Sequence, residues 1–343
     1  MVGRPFPITV FLQRGSSFTI RSYLEHWGEG VRGRFTIRDY PSVLGPAYHE
    51  KIRFARKARK RIRERIHAAR LRWIRAFPRA PKGRIYLFSD IERLSVYDRD
   101  RAGVLYETLA SDPGTRLLLN DPRRTLCRYE LLRFLHDLGE NDFNVYRVTE
   151  RSVPQRFPVF LRGEDDHQGA STELIESPES LARELAAMTT RGVVREGKLI
   201  VEFVETRSDD GLFRKYGAFL IGNRIVPRHV LLSKGWMVKS PTMDHGLSAE
   251  ALVAEQMAYL EGNPHETALR RIFGLANIAY GRIDYGLKEG RIQVFEINTN
   301  PTVLTRRHRT DPRAPAHALF AALYRSALDA LGDGAGASDI SGT

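Results

Sequence analysis

The sequence predicts a mixed α/β protein with α+β lobes, and three patterns indicate this class. Between residues 83 and 138, short runs rich in β-branched and aromatic residues alternate with longer helical patterns, as in a parallel α/β layer. Near the carboxyl terminus, two strand patterns flank the turn residues 288–291 and form a predicted hairpin. An apolar strand at residues 8–12 and a short helix at residues 18–27 open the chain.

The composition is that of a folded globular protein. The chain has 343 residues and 42% hydrophobic residues, enough for two or three lobes with cores. No apolar run approaches the ~20 residues of a membrane-spanning helix, and the amino terminus lacks the pattern of a signal peptide. The single cysteine, Cys127, excludes an intramolecular disulfide framework and most structural zinc sites. We therefore expect a cytoplasmic protein.

Most of the positive charge lies in one segment. Residues 51–75 hold twelve Lys or Arg and one Glu, a local +11 that leaves +2 of the total +13 for the remainder. Residues 51–77 lack Gly and Pro and repeat apolar side chains at spacings of three, four and seven, which predicts a basic amphipathic helix. Three interpretations stay open: a solvated helix packed on its own protein, a surface for an anionic membrane or nucleic acid, and a contact for an acidic partner. The segment lacks the aromatic interleaving of base-stacking sites, so it carries no specific nucleic-acid signal.

The most informative pattern is the pair of predicted strands at residues 281–285 and 294–298. Alternate side chains of a strand share a face, so Arg282 and Asp284 point together, as do Glu296 and Asn298. A loop of three or five residues would place Asp284 opposite Glu296, whereas a two-residue loop would put the carboxylates on opposite faces. Three oxygen donors beside an arginine suit Mg²⁺ that carries the phosphates of a nucleotide. On pattern alone, a merely polar outer face is the alternative.

The run RIDYGLKEGRIQVFEINTNP resembles the carboxy-terminal metal-binding hairpin of the ATP-grasp superfamily. The resemblance implies an ATP-grasp fold with a preceding small parallel α/β domain. It implies ATP and Mg²⁺ as cofactors, with two ions and with Mn²⁺ able to substitute. It also implies that Asp284, Glu296 and Asn298 are the metal ligands and that Arg282 is a catalytic residue.

The same resemblance assigns residues to the triphosphate. Arg128 and Arg162 stand where the family has two phosphate-contacting lysines, and arginine pairs phosphate oxygens with a different reach. The strand at residues 157–162 leads into a small-residue loop, of which Gly169 and Ser171 would approach the phosphates through the backbone. His167 in this loop is interpreted as a surface residue.

Further ATP-binding residues are implied downstream. Residues 198–205, with Val204 among the implied ATP-binding residues, resemble the hinge strand whose backbone holds the adenine edge. The acidic Glu202 and Glu205 would then meet the adenine amino group or the ribose hydroxyls; an ordinary strand with one polar face is the alternative. The next hairpin, predicted to turn at residues 222–223, supplies Lys215 and Arg228 as cations for the phosphates. A basic run at residues 306–309 binds the acidic end of a substrate or is plain solvated charge.

Five segments are predicted from these patterns. They are an amino-terminal α/β cap (1–50), the basic helix (51–80), a small parallel α/β domain (83–150), the ATP-grasp domain (151–331) and a disordered tail rich in Gly, Ala, Ser and Asp (332–343).

Three functions are compatible with this sequence. The first is an ATP-dependent ligase that joins a carboxylate to an amine through an acyl phosphate. The second is a kinase on the same scaffold that phosphorylates a hydroxyl. The third is an ATP-binding protein without turnover, which the basic helix docks on a membrane or an acidic partner. Neither the identity of the carboxylate and amine nor the oligomeric state is readable from the chain.

Overall fold

A computed structural model describes residues 6–15, 20–44, 84–150, 152–165, 169–238 and 246–332. The predicted basic helix, His167 and the predicted tail from residue 333 onward lie outside these ranges. No helix within them is long and apolar enough to span a membrane.

The amino-terminal part of the chain forms a four-stranded parallel sheet with strand order β2-β1-β3-β4. Its strands are β1 (Ile8–Leu12), β2 (Phe35–Asp39), β3 (Arg84–Phe88) and β4 (Thr115–Leu119), and its helices are α1 (Ile20–His26), α2 (Tyr40–Leu44) and α3 (Val96–Ala110). Strand β1 is buried along its whole length, as is typical of a parallel strand covered on both faces. The predicted alternation of strands and helices is therefore confirmed.

The boundaries of this sheet differ from the predicted division into a cap (1–50) and a following domain (83–150). Strand β1 lies between β2 and β3, so strands of both predicted units belong to one sheet. The physical reason is that β1 is buried throughout and mostly apolar, and such a strand needs hydrogen-bonded neighbours on both edges. The sheet ends at β4, because the next strand, β5 (Val145–Arg147), pairs with a strand further along the chain.

Two antiparallel sheets form the rest of the fold. The smaller has the order β5-β7-β6, with β6 (Val159–Gly163), β7 (Lys198–Glu202) and the helix α5 (Pro178–Thr190). The larger, called here the central sheet, has the order β11-β10-β8-β9. Its strands are β8 (Phe213–Ile221), β9 (Arg224–Ser233), β10 (Tyr280–Lys288) and β11 (Arg291–Asn298), and the neighbouring helices are α4 (Arg128–Asp137), α6 (Ala249–Gly262), α7 (Glu266–Leu275) and α8 (Ala314–Asp329).

The β10–β11 hairpin contains a correction to the predicted loop. Only Glu289 and Gly290 connect the strands, with φ of 52° and 75°, so the loop has two residues rather than three or five. A β-bulge compensates, because Asp284 pairs with Glu296 whereas Tyr285 pairs with Val294, leaving Phe295 as the extra residue. The bulge restores both carboxylates to one face despite the short loop.

Buried polar side chains join the parallel sheet to the central sheet. Asn120, which follows β4, donates to the carbonyls of Phe88 and Tyr280 at 2.9 and 2.8 Å, and its Oδ1 accepts from the Ala279 amide at 2.8 Å. Thr299, which follows β11, accepts from the Ile91 amide at 3.1 Å. These bonds place the carboxyl ends of β3 and β4 against the ends of the hairpin that carries the predicted site.

Candidate functional site

The hairpin brings its four predicted residues onto one face in the predicted register. Asp284 pairs with Glu296, and Arg282 pairs with Asn298. Asp284 and Asn298 are buried, at 3% and 4% exposure. Neighbouring strand positions of this kind have Cβ atoms about 5 Å apart, so oxygens from both strands can reach a common ligand.

Two cations accompany Asp284. Arg282 forms a two-pronged salt bridge, from Nε to Oδ1 at 2.7 Å and from Nη2 to Oδ2 at 3.1 Å. Lys215 Nζ on β8 lies 3.9 Å from Asp284 Oδ2. Burial lowers the pKa of the Arg282 guanidinium, but Asp284 outweighs it and the net direction is upward. Arg282 therefore remains charged beside this carboxylate.

Two further arginines converge on Glu296. Arg128 Nη2, in the first turn of α4, and Arg162 Nη2, in β6, lie 2.5 and 2.7 Å from the same oxygen, Oε2. Both arginines are buried, and Arg128 also donates to the carbonyls of Gly163 and Glu164. Burial raises the pKa of the Glu296 carboxyl, but the charges of Arg128 and Arg162 outweigh burial and hold the pKa well below its usual range. Glu296 is thus a carboxylate at any working pH.

The donor set fits a hard divalent cation in character. Asp284, Glu296 and Asn298 offer carboxylate and amide oxygens, the ligands that Mg²⁺ prefers. Asn298 Nδ2 donates to Glu296 Oε1 at 3.1 Å, which fixes the amide with its oxygen available. No cluster of three or more His, Cys, Asp or Glu occurs among the described residues. Four cations surround the two carboxylates, and this positive excess suits an anionic, metal-bearing phosphate group.

A cavity of about 180 Å³ opens beside this cluster. It is bounded by side chains of the smaller sheet, the central sheet and the segment that follows β9. Seven predicted residues line it, namely Arg162, Gly169, Glu202, Val204, Lys215, Asp284 and Glu296. The cavity also has an aromatic wall that was not predicted from the sequence, formed by Phe143, Phe160, Phe203, Phe213, Trp236 and Phe295. The only local signal for Trp236 is its position just past a strand end, which does not distinguish it from other loop aromatics.

The hinge residues divide into two kinds. Val204 lines the cavity, and its backbone makes no hydrogen bond to another residue of the described ranges, so its amide and carbonyl can meet the edge of a base. The Glu202 side chain, which was predicted to contact adenine or ribose, is hydrogen-bonded within the protein instead. Its carboxylate accepts from the Asn144, Gln155 and Arg156 amides and from the Tyr146 hydroxyl, at 2.9 to 3.1 Å, and the residue is 1% exposed. Glu205 is exposed and caps the Arg207 amide at 3.0 Å.

The predicted phosphate loop lies along β6. Gly169 has φ of 83° and lines the cavity, which fits a close backbone approach. Ser171 is held differently, because its amide and its hydroxyl both donate to the Leu161 carbonyl, at 2.7 and 3.0 Å. Its side chain therefore fastens the loop to β6.

Arg228, predicted to neutralise phosphate, has other surroundings. It is 4% exposed, does not line the cavity, and occupies a bulge of β9 between the paired residues Pro227 and His229. Its guanidinium donates to the Val303 carbonyl at 3.0 Å and lies 4.7 Å from the centre of the Phe320 ring. Burial, followed by the charges of Arg282 and Arg313, lowers its pKa to about 9.

His229, the neighbour of Arg228 in β9, packs against Gly217 of β8. A Cβ on Gly217, which pairs with both His229 and Asp284, would lie 2.6 Å from His229 Nε2, so the ring rests against a glycine. Burial and then the charges of Arg282, Arg228 and Lys215 hold the pKa of His229 well below its usual range. A neutral imidazole therefore faces the cationic side of the site.

Solved structures with a similar fold are ATP-grasp ligases. The D-alanine–D-alanine ligase of Bacillus anthracis complexed with ATP matches at 13% identity and a TM-score of 0.46, over 96% of this chain and 99% of that one. The D-alanine–D-alanine ligase of Helicobacter pylori matches at 14% identity and 0.42, over 92% and 98%. The ATP-grasp ligase PsnB complexed with its minimal precursor matches at 12% identity and 0.46, over 93% and 99%. No protein-family model matches the chain, and neither does any curated protein.

These matches are likenesses of fold, and they agree with the predicted ATP-grasp resemblance and fold class. These identities and TM-scores describe the backbone fold, and they say nothing about a reaction that this protein catalyses.

Proposed function

We propose that this protein is an ATP- and Mg²⁺-dependent ligase that joins a carboxylate to an amine of a small molecule or peptide. The observation that carries the proposal is the charge arrangement of the β10–β11 hairpin. The buried Asp284 carboxylate, the half-buried Glu296 carboxylate and the Asn298 amide share one face with Arg282, and three more cations surround them at the end of an apolar cavity.

ATP would occupy the cavity with its base against the aromatic wall. Phe203 and Trp236, whose ring centres lie 5.9 Å apart, offer apolar surface for a purine, and the Val204 backbone offers its hydrogen-bonding edge. Arg128, Arg162 and Lys215 would bind the phosphates, since guanidinium groups pair well with phosphate oxygens. On binding, phosphate oxygens would replace Glu296 Oε2 as the acceptor for Arg128 and Arg162.

That exchange frees Glu296 for a metal. Asp284, Glu296 and Asn298 are the residues that would hold Mg²⁺, with Mn²⁺ able to substitute. A bound ion would neutralise charge that develops on the transferring phosphate. The role of the chain is to present these oxygens on adjacent strands and to balance them with arginines.

The reaction has two steps. In the first, a carboxylate oxygen of the substrate attacks the γ-phosphorus, a new P–O bond forms, the bond to the β-phosphate oxygen breaks, and ADP leaves. In the second, the amine nitrogen attacks the acyl carbon, a C–N bond forms, phosphate departs with the former carboxylate oxygen, and a proton of the amine passes to solvent. Arg282, fixed by Asp284 at 2.7 Å, is the catalytic cation that stabilises the acyl phosphate and the oxyanion of the second step.

The test is ADP release with Mg-ATP across pooled carboxylates and amines. The wild-type protein should release ADP only when both an acid and an amine are present, and Asp284→Asn should not. Glu289→Gln is the matched control, because it removes an exposed carboxylate from the turn of the same hairpin. ADP release by Asp284→Asn at the wild-type rate would contradict the assignment.

A binding protein without turnover is the second candidate. One observation favours it: Arg282, Arg128 and Arg162 engage Asp284 and Glu296 directly, as in an ion-pair cluster that needs no metal. Tight ATP binding without ADP release in any pool would support this candidate.

Trapping with hydroxylamine distinguishes the ligase from a kinase. A hydroxamate shows that an acyl phosphate formed, whereas a stable phosphoester shows that a hydroxyl was phosphorylated.

A further inference from the structure

A second cationic cluster lies beside the hairpin and is built around Arg228. Arg282 Nη1 donates to the Thr302 carbonyl at 3.3 Å, and Arg228 Nε donates to the next carbonyl, of Val303, at 3.0 Å. The two guanidinium groups therefore flank the same stretch of chain. The remaining nitrogens of Arg228 face two histidines: Nη1 lies 3.3 Å from His317 Nδ1, and Nη2 lies 3.4 Å from His308 Nε2.

The contact with His308 cannot be a hydrogen bond. The Thr305 backbone N–H, which can only donate, lies 2.8 Å from His308 Nδ1, so Nδ1 is an acceptor and carries no proton. The ring proton must then reside on Nε2. Arg228 Nη2 has only hydrogens to offer, so two N–H groups face each other across 3.4 Å. One acceptor oxygen beside the pair would satisfy both N–H groups.

The contact with His317 differs. Its Nδ1 accepts from Arg228, which leaves the proton on Nε2. Nε2 lies 3.7 Å from Asp311 Oδ1 without a hydrogen bond in the described part of the chain, and His317 is 1% exposed. Asp311 Oδ1 already accepts hydrogen bonds from the Arg313 backbone amide at 2.8 Å and from Arg313 Nε at 3.0 Å. The carboxylate nearest the cluster is thus already paired.

Arg228 is consequently a buried cation whose hydrogen-bond partners are the Val303 carbonyl and the neutral His317 ring. Removing a charge from water is costly unless an opposite charge accompanies it. A water molecule could accept from both N–H groups but would leave the charge uncompensated, whereas an anionic oxygen meets both needs. His308 is half-buried, so an anion can approach from its side.

We propose that Arg228 and His308 form a subsite that binds an unreactive carboxylate of a substrate, next to Arg282 of the β10–β11 hairpin. The ligand chemistry is a carboxylate carried in addition to the reacting group, and it comes from a dicarboxylate donor or from an amino-acid acceptor. The substrate assignment rests on the ligase function proposed above. The oxygen site itself rests only on the donor geometry.

The direct test is nuclear magnetic resonance of the full chain with ¹⁵N-labelled histidine. Sodium acetate is the anionic probe and acetamide its neutral counterpart, with ionic strength held constant by sodium chloride. The His308 Nε2–H resonance should shift to saturation with acetate and stay unchanged with acetamide. If acetate causes no saturable shift of the His308 Nε2–H resonance, the site holds only water and the proposal is overturned.

Three variants make the test specific. Arg228→Gln should weaken acetate binding about tenfold or more, as expected for loss of a charge-assisted hydrogen bond. His308→Leu, at a half-buried turn position, should weaken it while Arg228 stays in place, with binding followed through the His317 resonances. Arg307→Gln removes an exposed charge from the same turn and should bind acetate like the wild type. Equal acetate affinity in Arg228→Gln and Arg307→Gln would refute the assignment.

The activity test identifies the source of the carboxylate. For each substrate that supports ADP release, the spare carboxylate is replaced by a carboxamide. In the wild type the KM should rise at least tenfold for the donor or for the acceptor, and in Arg228→Gln this difference should vanish. If the wild type has equal KM values for the acid and its carboxamide, both for the donor and for the acceptor, the substrate assignment is contradicted. If no pool supports ADP release while acetate still saturates His308, the proposed function fails and the oxygen site stands.

Discussion

Two buried arginines on the antiparallel strands have opposite electrostatic surroundings. Arg162 meets a carboxylate, with Nη2 at 2.7 Å from Glu296 Oε2, whereas Arg228 meets a carbonyl and two histidine rings that carry no charge. The charge of Arg162 is compensated within the protein by Glu296, so only a stronger anion would replace that carboxylate. The charge of Arg228 is not compensated until an anion binds. In the proposed function the first arginine exchanges a carboxylate for a phosphate, whereas the second lacks a counter-charge.

The largest effect is expected from Glu296→Gln, which removes the balance of the first site. Arg128 and Arg162 would be left as buried cations facing a neutral amide, so the free energy of unfolding should fall by about 3–5 kcal/mol. ADP release should fall at least about a hundredfold, because the substitution removes a proposed metal ligand. Urea unfolding and ADP assays on Glu296→Gln and Glu289→Gln measure both effects. Wild-type stability of Glu296→Gln would show that the arginines do not depend on this carboxylate.

The next effect contrasts Arg128→Gln with Arg228→Gln. Arg128→Gln breaks charge-assisted hydrogen bonds to Glu296 and to two carbonyls, and should cost about 1.5–3 kcal/mol of stability. Arg228→Gln removes an uncompensated buried charge and should change stability by only about 0–1 kcal/mol, in either direction. Thermal unfolding without ligands compares the two. A larger loss for Arg228→Gln than for Arg128→Gln would mean that Arg228 is already balanced.

A smaller effect is expected where the two regions meet. Gly217→Ala would place a methyl group 2.6 Å from His229 Nε2, and such overpacking costs about 1–3 kcal/mol. Gly274→Ala in α7 is the control, since nothing lies within 4 Å of its added Cβ and alanine favours a helix. The two substitutions should therefore shift the unfolding midpoint in opposite directions. Stabilisation by both would show that the His229 ring moves freely.

The smallest effect is an acid dependence that belongs to the Arg228 cluster. Burial, then Arg228, lowers the pKa of His308 to about 4 and that of His317 to about 3, and Arg313 adds to this while Asp311 opposes it. In the unfolded chain these rings take up protons near pH 6.5, so stability should decline as pH falls from about 6.5 towards 4. His317→Asn should flatten this decline. Unfolding midpoints measured between pH 7 and 4 test it, and an unchanged slope would show that His317 is charged in the fold.

Much of this arrangement follows from local pattern. The hairpin register, the turn at Gly222 and Asn223 and the succession of strands and helices were predictable, because alternation and turn residues act over a few positions. The role of Glu202 was not, since its donors come from Asn144, Tyr146 and the amides near residue 155, which are distant in sequence. The Arg228 cluster was hidden for the same reason. Its histidines lie about eighty residues or more further along the chain.

The bulge at Phe295 also has a consequence for how such hairpins vary. A two-residue turn with one bulge and a three-residue turn without a bulge leave the same number of residues between Asp284 and Glu296. The number of residues between Asp284 and Glu296 therefore determines whether both carboxylates lie on one face. It does not reveal whether a longer turn or a bulge brings them there. Loops of related chains could grow or shrink in pairs of residues without harm. A single insertion or deletion would survive only where a second irregularity in the ladder cancels it.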